Sequence, residues 1–304
     1  MPSTPASTED ILAARQSGRQ IVLDVLPPEH FEARHIPGAR NACVYEVTFL
    51  DQAASLAPDK TAPIIVYGAG EGSLDAVTAA GKLHRAGYAN VSVLHGGFPA
   101  WVAAGNPLEG TRADEHDPAH PVLELGKARY AAVPAESTLL WTGRNSNGRH
   151  TGSLAVREGT LIREGEGLRG LFTLAMDSIS NTDLAGTDLQ AVLEDHLKSD
   201  DFFFVSHFPT CTVEITDMTP VPDAAATLPN FRVTAVMTLR GVAREIVFEA
   251  NLRPLDGGRL ALMANFDFDR TTWGVLYGSA RFFKYLSYHV VYDMVSVDLR
   301  IVLE

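Results

Sequence analysis

Residues 196–215 read HLKSDDFFFVSHFPTCTVEI, and this stretch decides how the second half of the chain folds. Apolar residues at its start and just before it recur at helical spacing, which predicts a short amphipathic helix capped by Asp188. These apolar residues are Leu189, Val192, Leu193 and Leu197. After Pro209, polar residues alternate with Cys211, Val213 and Ile215, which predicts a strand with one apolar face. The phenylalanines between helix and strand therefore form an aromatic turn at the mouth of a β-structure.

Length, charge and cysteine content limit the partners of the chain. Its 304 residues are typical of two domains. The formal net charge of −12 is spread over both halves without a basic block, which argues against nucleic acid and against an anionic membrane surface as partners. Cys43 and Cys211 are too few for a disulfide framework. Residues 1–18 lack the apolar stretch of a secretory signal, and no apolar run is long enough to span a bilayer, so we expect a cytoplasmic protein.

Strand and helix patterns alternate over residues 1–110. Short apolar runs predict buried strands at 21–25, 64–67 and 91–94. Helical patterns follow the strands, with a proline in the first turn at Pro28 and a Gly-rich turn at 68–73. This alternation predicts an α/β domain with a parallel sheet and helices on both faces.

Several motifs of this domain resemble those of rhodanese-like (sulfurtransferase) domains. They are LDV at 23–25, HIPGA at 35–39, IVY at 65–67 and VLHGG at 93–97, followed by Ala100 and Trp101. In active members of that family, a cysteine directly after the VY strand carries a persulfide. Gly68 stands at this position, so the resemblance implies a domain that lacks the nucleophile and has no catalytic residue.

Two further residues bear on sulfur chemistry. Glu71 lies in the Gly-rich turn, where its charge would oppose a thiolate. Cys43 is an alternative nucleophile, but an isolated cysteine is more often a small buried core residue. We therefore expect an inactive sulfurtransferase domain that acts as a scaffold or as a docking module for a protein partner.

Residues 111–127 differ in composition from the chain on either side. They contain prolines and acidic side chains with almost no apolar periodicity. This composition predicts a solvated linker between a first domain at 1–110 and a second at 128–304.

The second domain reads as one strand after another, with apolar side chains at every second position. The clearest alternations run through 231–239, 246–252, 260–268 and 295–303. Such alternation is typical of antiparallel strands with one apolar and one wet face, and closure into a barrel removes the sheet edges. We expect an all-β antiparallel barrel with a single short helix at 188–197.

The same half resembles the YceI-like family along its length. The matching motifs are LWTG at 140–143, GRHTG at 148–152, MDSISNTDL at 176–184, the stretch 196–215, LRGV at 239–242 and DRTTWGVLYGS at 269–279. The resemblance implies a lipocalin-like barrel whose lumen holds an isoprenoid lipid, such as the tail of an isoprenoid quinone or a polyprenyl lipid. It implies no obligatory cofactor.

Alternation alone leaves a ligand cavity and a packed barrel core as alternatives. If a cavity is present, inward parity selects the candidates for contact with a lipid chain. These are Phe172, Leu174, Val213, Ile215, Val233, Met237, Phe266 and Phe268. Candidates for a polar head group are Arg149, His150, Arg270, Trp273 and Tyr277. His150 and His196 lack a third ligand at suitable spacing, so we expect no metal site.

Three functions fit the sequence. The first is binding, carrying or sensing of an isoprenoid lipid in the barrel. The second is an enzyme, either a sulfurtransferase of unusual mechanism or a barrel that processes its lipid. The third is a pure protein-interaction module with a packed barrel. The sequence leaves a homodimer open in each case.

Overall fold

The computed structural model describes residues 4–18, 20–114, 123–165 and 167–304. Backbone contacts divide the chain into two compact units, Met1–Asp117 and Pro118–Glu304. Residues 115–122 of the predicted linker lie outside the described residues. At its start, Thr111 and Arg112 donate backbone N–H groups to the carbonyls of Glu32 and Ala33. Among the helices in the described ranges, none is long and apolar enough to cross a membrane.

The first unit alternates strands and helices, as predicted. Its elements are β1 (Thr4–Ala6), α1 (Thr8–Ser17), β2 (Ile21–Asp24), α2 (Pro28–Ala33), β3 (Arg40–Asn41), α3 (Phe49–Leu56), β4 (Ile64–Tyr67), α4 (Asp75–Arg85), β5 (Val91–Leu94) and α5 (Gly97–Ala103). The strands form one parallel sheet in the order β1-β5-β4-β2-β3. The predicted α/β class is confirmed.

Helices cover both faces of this sheet because its central strand is apolar at every position. Ile64 and Val66 face one core, which also contains Phe49 of α3 and Leu83 of α4. The intervening positions of β4 face a second core with Ile11 of α1 and Trp101 of α5. A run buried on both sides cannot alternate with polar residues, which explains the short continuous apolar runs in the sequence.

The second unit is built almost entirely of strands. Its elements are β6 (Arg129–Ala131), β7 (Thr138–Asn145), β8 (Gly148–Glu164), β9 (Gly167–Asn181), α6 (Asp188–Lys198), β10 (Thr210–Pro220), β11 (Phe231–Leu239), β12 (Val242–Leu255), β13 (Arg259–Asp269) and β14 (Met294–Leu303). Short 3-10 helices occur at Pro134–Glu136, Asp256–Gly258, Arg270–Trp273 and Ser287–His289.

Eight of these strands close into an antiparallel barrel. The order β8-β7-β14-β13-β12-β11-β10-β9 is closed by the pairing of β8 with β9, and β6 adds to β8 outside the ring. The long strand β8 serves both neighbours because register shifts near Ser153 and Val156 bend it from one to the other. The predicted barrel with one short helix is confirmed.

The two ends of the barrel are built differently. Strands β7, β9, β11 and β13 finish at one end, which we call the mouth; α6 and the long connection between β13 and β14 also lie there. The opposite, closed end is filled by side chains that are at most 1% exposed. Among them are Tyr130, Leu161, Leu168, Met218, Leu252 and Leu303. The barrel is therefore packed at one end, so the packed-core alternative is correct for that part of its interior.

The stretch 196–215 lies at the mouth, as predicted, with one difference at the start of α6. Thr187, not Asp188, occupies the N-cap position, and no side chain caps this end. The hydroxyl of Thr187 donates instead to the carbonyl of Leu184, at 2.8 Å. The apolar face of α6 is also only partly buried, since Leu189 and Val192 remain exposed while Leu197 is buried.

Candidate functional site

An apolar cavity of about 340 Å³ occupies the half of the barrel next to the mouth. Inward-facing side chains of all eight barrel strands line it, together with Leu193 and Leu197 of α6. It reaches the surface at the mouth, because its lining includes Tyr288 and Tyr292, which are 69% and 51% exposed. Small-molecule sites typically enclose roughly 300–1,000 Å³, so this cavity is large enough to hold part of a slender ligand.

Most of the residues that strand parity selected for contact with a lipid chain lie in the cavity wall. Phe172, Leu174, Val213, Ile215, Met237, Phe266 and Phe268 all line the cavity. Val233 does not. It is fully buried in the packed half of the barrel, where it pairs with Met218 of β10 and Phe248 of β12. Parity identifies the inward face of a strand but not how deep along the barrel the open space extends.

Of the predicted head-group residues, His150, Arg270 and Tyr277 line the cavity and two others do not. Arg149 lies on β8 with its side chain exposed to solvent. Trp273 is buried, and its indole N–H donates to the carbonyl of Met237 at 2.9 Å. Its ring meets Phe268 edge to face, with the centroids 5.4 Å apart. Trp273 is therefore a structural corner of the barrel mouth.

Arg270 lines the cavity, but its guanidinium donates its hydrogen bonds to backbone carbonyls. Its guanidinium, 2% exposed, donates to the carbonyls of Val275 and Tyr277, each at 2.7 Å. It also reaches the carbonyls of Val291 at 3.0 Å and Tyr292 at 3.1 Å. These four bonds tie the two ends of the β13–β14 connection together, so Arg270 shapes the mouth instead of presenting a free cation to a ligand.

Histidines and a tyrosine form a polar ring where the cavity opens. His150 contacts the carboxylate of Asp183 at 2.9 Å, and His196 contacts that of Asp201 at 3.1 Å. Burial raises the pKa of Asp183, but hydrogen bonds from Thr151 N–H, His150 and Asn181 outweigh it and lower the pKa to about 2. Asp183 is thus an anion that orients His150 at the mouth.

The polar ring is completed by Tyr277, which lies beside His289. The hydroxyl of Tyr277 lies 3.5 Å from Nδ1 of His289. The Tyr277 ring also meets His196 edge to face, with the centroids 4.7 Å apart. Within the described part of the chain, no three His, Cys, Asp or Glu side chains are grouped to hold a metal ion. The imidazole and hydroxyl groups of the ring can donate or accept hydrogen bonds.

The residue selection from sequence missed Trp141, which lies in the cavity wall on β7. Its ring covers Gly152 of β8, where an added Cβ would come within 2.5 Å of the indole. The indole nitrogen is buried and has no hydrogen-bond partner among the described residues. A buried donor without a partner is costly, and the rest of the Trp141 ring contributes apolar surface to the cavity wall. Parity with Leu139 on the same strand is the signal that could have identified it.

Other residues of the cavity lining could not be predicted from a sequence pattern. His289 to Tyr292 belong to an aperiodic connection, and only the closure of the barrel brings them to the cavity. Cys211 lines the wall, and burial raises the pKa of its thiol to about 12, so it is not a thiolate nucleophile at neutral pH.

In the first unit, Gly68 follows β4 with a carboxylate in the space where a side chain would stand. A Cβ on Gly68 would lie 2.1 Å from Oδ1 of Asp75, the first residue of α4. The Asp75 carboxylate is buried and accepts the backbone N–H groups of Ala69 at 2.9 Å and Ala76 at 2.6 Å. The carboxylate next to this position is therefore Asp75; Glu71, which we expected to oppose a thiolate, is exposed.

Cys43, the alternative nucleophile, and Asp24, a carboxylate at the end of β2, are both buried among their neighbours. Cys43 is 3% exposed, and its backbone N–H donates to the side-chain oxygen of Gln52 at 3.1 Å. Asp24 is fully buried at the end of β2, and burial raises its pKa to about 6 despite a hydrogen bond from Leu26 N–H. The Asp24 carboxyl beside β4 is therefore either protonated or an anion destabilised by burial, and it does not help to bind a second anion there.

Two family models match the chain. A YceI-like domain matches residues 130–303, and a rhodanese-like domain matches residues 7–104. No curated protein matches the chain.

Solved structures resemble one unit or the other. BcnA from Burkholderia cenocepacia is 17% identical with a TM-score of 0.43, covering 56% of this chain and 98% of its own. A polyisoprenoid binding domain from Saccharophagus degradans, implicated in plant cell wall breakdown, is 19% identical with a TM-score of 0.41, covering 58% and 98%. A thiosulfate sulfurtransferase from Pseudomonas aeruginosa is 32% identical with a TM-score of 0.33, covering 35% of this chain and 20% of its own.

The YceI-like match covers more than half of the chain and coincides with the barrel that contains the cavity. The chain therefore belongs to the YceI-like family and carries a rhodanese-like domain ahead of its barrel.

Proposed function

We propose that the barrel binds an isoprenoid lipid, with the chain in the cavity and the polar head group at the mouth. The observation that carries the proposal is the apolar cavity, which is blind at the packed end and opens through the ring of His150, His196 and Tyr277. A chain of hydrocarbon units fits an apolar lining, and each CH₂-sized group that leaves water contributes about 0.8 kcal/mol before entropy losses.

The depth of the cavity limits how much of the chain it holds. Along β14, the lining runs from Val295 to Ile301. Six residues at about 3.3 Å each, tilted by about 40°, span roughly 15 Å along the barrel axis. An isoprene repeat has four chain bonds of about 1.5 Å, so it is about 5 Å long when extended. The cavity thus encloses about three isoprene units, and the remainder of a longer tail leaves through the mouth.

A quinone-like head group is the finer part of the proposal. Its carbonyl oxygens are acceptors, and the mouth offers hydrogen-bonding side chains in His150, His196 and Tyr277. A quinone ring also stacks on aromatic side chains, of which the mouth has several.

The experiment is a binding series with isoprenoid quinones of increasing tail length. Quinones quench tryptophan fluorescence, so binding is read from Trp141 in the wall and Trp273 at the mouth, and the quenching should be smaller in Trp141→Phe. Affinity should rise with each of the first isoprene units, up to about three, and then level off. Met237→Glu should abolish binding, whereas Thr238→Glu, on the outer face of the same strand, should not. Circular dichroism checks that both variants fold. Equal affinity for all tail lengths would contradict chain burial.

For the first unit we propose a docking or scaffold role without sulfurtransferase activity. The space at Gly68 is filled by the Asp75 carboxylate, and Cys43 is buried. Several apolar side chains of this unit are exposed, which suits a protein partner. They are Tyr45, Val47, Leu50, Leu74 and Val77. A thiosulfate:cyanide assay should show no turnover above buffer, and turnover that is lost in Cys43→Ala would overturn this part of the proposal.

A further inference from the structure

The connection between β13 and β14 contains an unusual concentration of exposed aromatic side chains. We call residues 280–292 the mouth segment. All the exposed aromatic side chains that the structure describes in the second unit belong to it. They are Phe282, Phe283, Tyr285, Tyr288 and Tyr292, exposed by 47% to 101%. Clustered exposed aromatics mark an interaction surface, because they cost free energy in water.

The fold holds these side chains outward. Arg270 ties the carbonyls of Val275 and Tyr277 to those of Val291 and Tyr292, so both ends of the connection are fixed. At the tip, Tyr285 has a φ of 61° and Ser287 a φ of 50°. Left-handed backbone at two non-glycine residues is unfavourable and is retained where the surroundings impose it. The tip is therefore presented to solvent by its own backbone, with Tyr285 fully exposed.

The charge of the mouth segment differs from that of the whole chain. Residues 280–292 contain Arg281 and Lys284 and no acidic residue, although the chain as a whole has a net charge of −12. Arg281 is balanced by Asp269 at 2.6 Å and Asp293 at 3.6 Å. The outer surface of the segment thus combines aromatic rings with one further cation. Tyrosine and phenylalanine with a basic side chain are the composition that settles at a membrane–water interface.

The mouth segment lies directly beside the opening of the cavity. Tyr288 and Tyr292 are both exposed and part of the cavity lining, so the aromatic surface is continuous with the opening. On α6, at the same end of the barrel, Leu189 and Val192 are 61% and 63% exposed. An isoprenoid chain that crossed water on its way to the cavity would expose all of its apolar surface, which is unfavourable, so the opening is best placed against the phase that holds the chain.

We propose that the mouth segment, with Leu189 and Val192, seats the barrel mouth on the surface of a phospholipid bilayer, from which the cavity takes its lipid. This inference rests on the proposed function. Whole-chain charge argued against an anionic membrane surface; the attraction here comes from aromatic insertion, so a neutral phosphatidylcholine bilayer is sufficient.

The test is flotation of the full chain with phosphatidylcholine vesicles. The wild-type chain should float. Phe282→Ser with Phe283→Ser should lower the vesicle partition coefficient at least about tenfold, since two half-exposed rings no longer insert. The matched control is Val221→Ser with Leu228→Ser, which removes two exposed apolar side chains from the β10–β11 connection at the closed end and should leave flotation unchanged. Flotation that survives the mouth-segment change, or falls equally in the control, overturns the proposal.

Two further measurements separate this inference from the proposed function. Phe282 and Phe283 do not line the cavity, so the mouth-segment variant should still bind a short-tailed quinone from solution while taking up long-tailed quinone from vesicles more slowly. If neither the wild type nor the mouth-segment variant binds quinone but the wild type floats, the cavity assignment is wrong and bilayer docking stands. If the wild type does not float and forms a dimer that the variant loses, a second copy covers the surface and docking on a bilayer is wrong.

Discussion

Placing a cysteine at Gly68 should destabilise the first unit and yield an unreactive thiol. The Cβ of Gly68→Cys would lie 2.1 Å from Oδ1 of Asp75, so the carboxylate must move. Moving it breaks its hydrogen bonds from Ala69 N–H and Ala76 N–H. Hydrogen bonds to a charged acceptor contribute about 1.5–3 kcal/mol each, and partial relaxation recovers some of this, so we expect a loss of about 3 kcal/mol.

The assay is urea unfolding of the first unit, with Gly81→Cys as the matched control. An added Cβ at Gly81 meets only the end of the Arg85 side chain, at 3.4 Å, so that variant should unfold like the wild type. The thiol of Gly68→Cys lies beside a carboxylate, which raises its pKa above the usual value near 8.5 and slows alkylation by iodoacetamide at neutral pH.

The double variant Gly68→Cys with Asp75→Ser should alkylate faster than the single variant, because it removes the opposing charge. If Gly68→Cys alone unfolds like Gly81→Cys and its thiol reacts faster than free cysteine, the loop is still an anion cradle. Asp75 would then not control the stability or the reactivity of a side chain at this position.

Three further predictions concern other parts of the chain. Asp24→Asn should stabilise the first unit at pH 8 by up to about 3 kcal/mol and have little effect near pH 4, because burial raises the pKa of Asp24 from 3.8 to about 6. The folded wild type retains a proton there that the unfolded chain has lost, so its unfolding free energy should fall as pH rises from 4 to 6; the same slope in the variant would contradict the assignment. Limited proteolysis should cut first within residues 111–127 and leave two folded fragments; a first cut inside either unit would refute the linker. Arg270→Lys should lower the unfolding temperature of the barrel and weaken quinone binding, because one ammonium group cannot serve four carbonyls; unchanged unfolding and binding would show that Arg270 does not hold the mouth.

Much of the fold could be predicted because each strand environment has its own sequence pattern. Strand β4 is buried on both faces and reads as a continuous apolar run, whereas β10 and β11 alternate because one face is wet. Alternation also identified the inward face of each strand. Phe172, Leu174 and Met237 could therefore be assigned to the barrel interior from the sequence, and they line the cavity.

What could not be predicted depends on depth and on aperiodic loops. Val233 and Met237 share one face of β11, but the first is packed at the closed end and the second faces open space, a difference set by neighbouring strands. Asp75 and Glu71 are close in sequence, and only the path of the loop decides which carboxylate lies at Gly68. The mouth segment has no periodicity, so its exposure followed only from the closed barrel.

The most direct test of the central claim is mass spectrometry of an organic extract of the purified full chain. We expect the wild type and Thr238→Glu to retain an isoprenoid lipid in similar molar amounts per chain, and Met237→Glu to retain none. An extract without isoprenoid lipid, from a chain whose unfolding temperature long-tailed quinones do not raise, would contradict this claim.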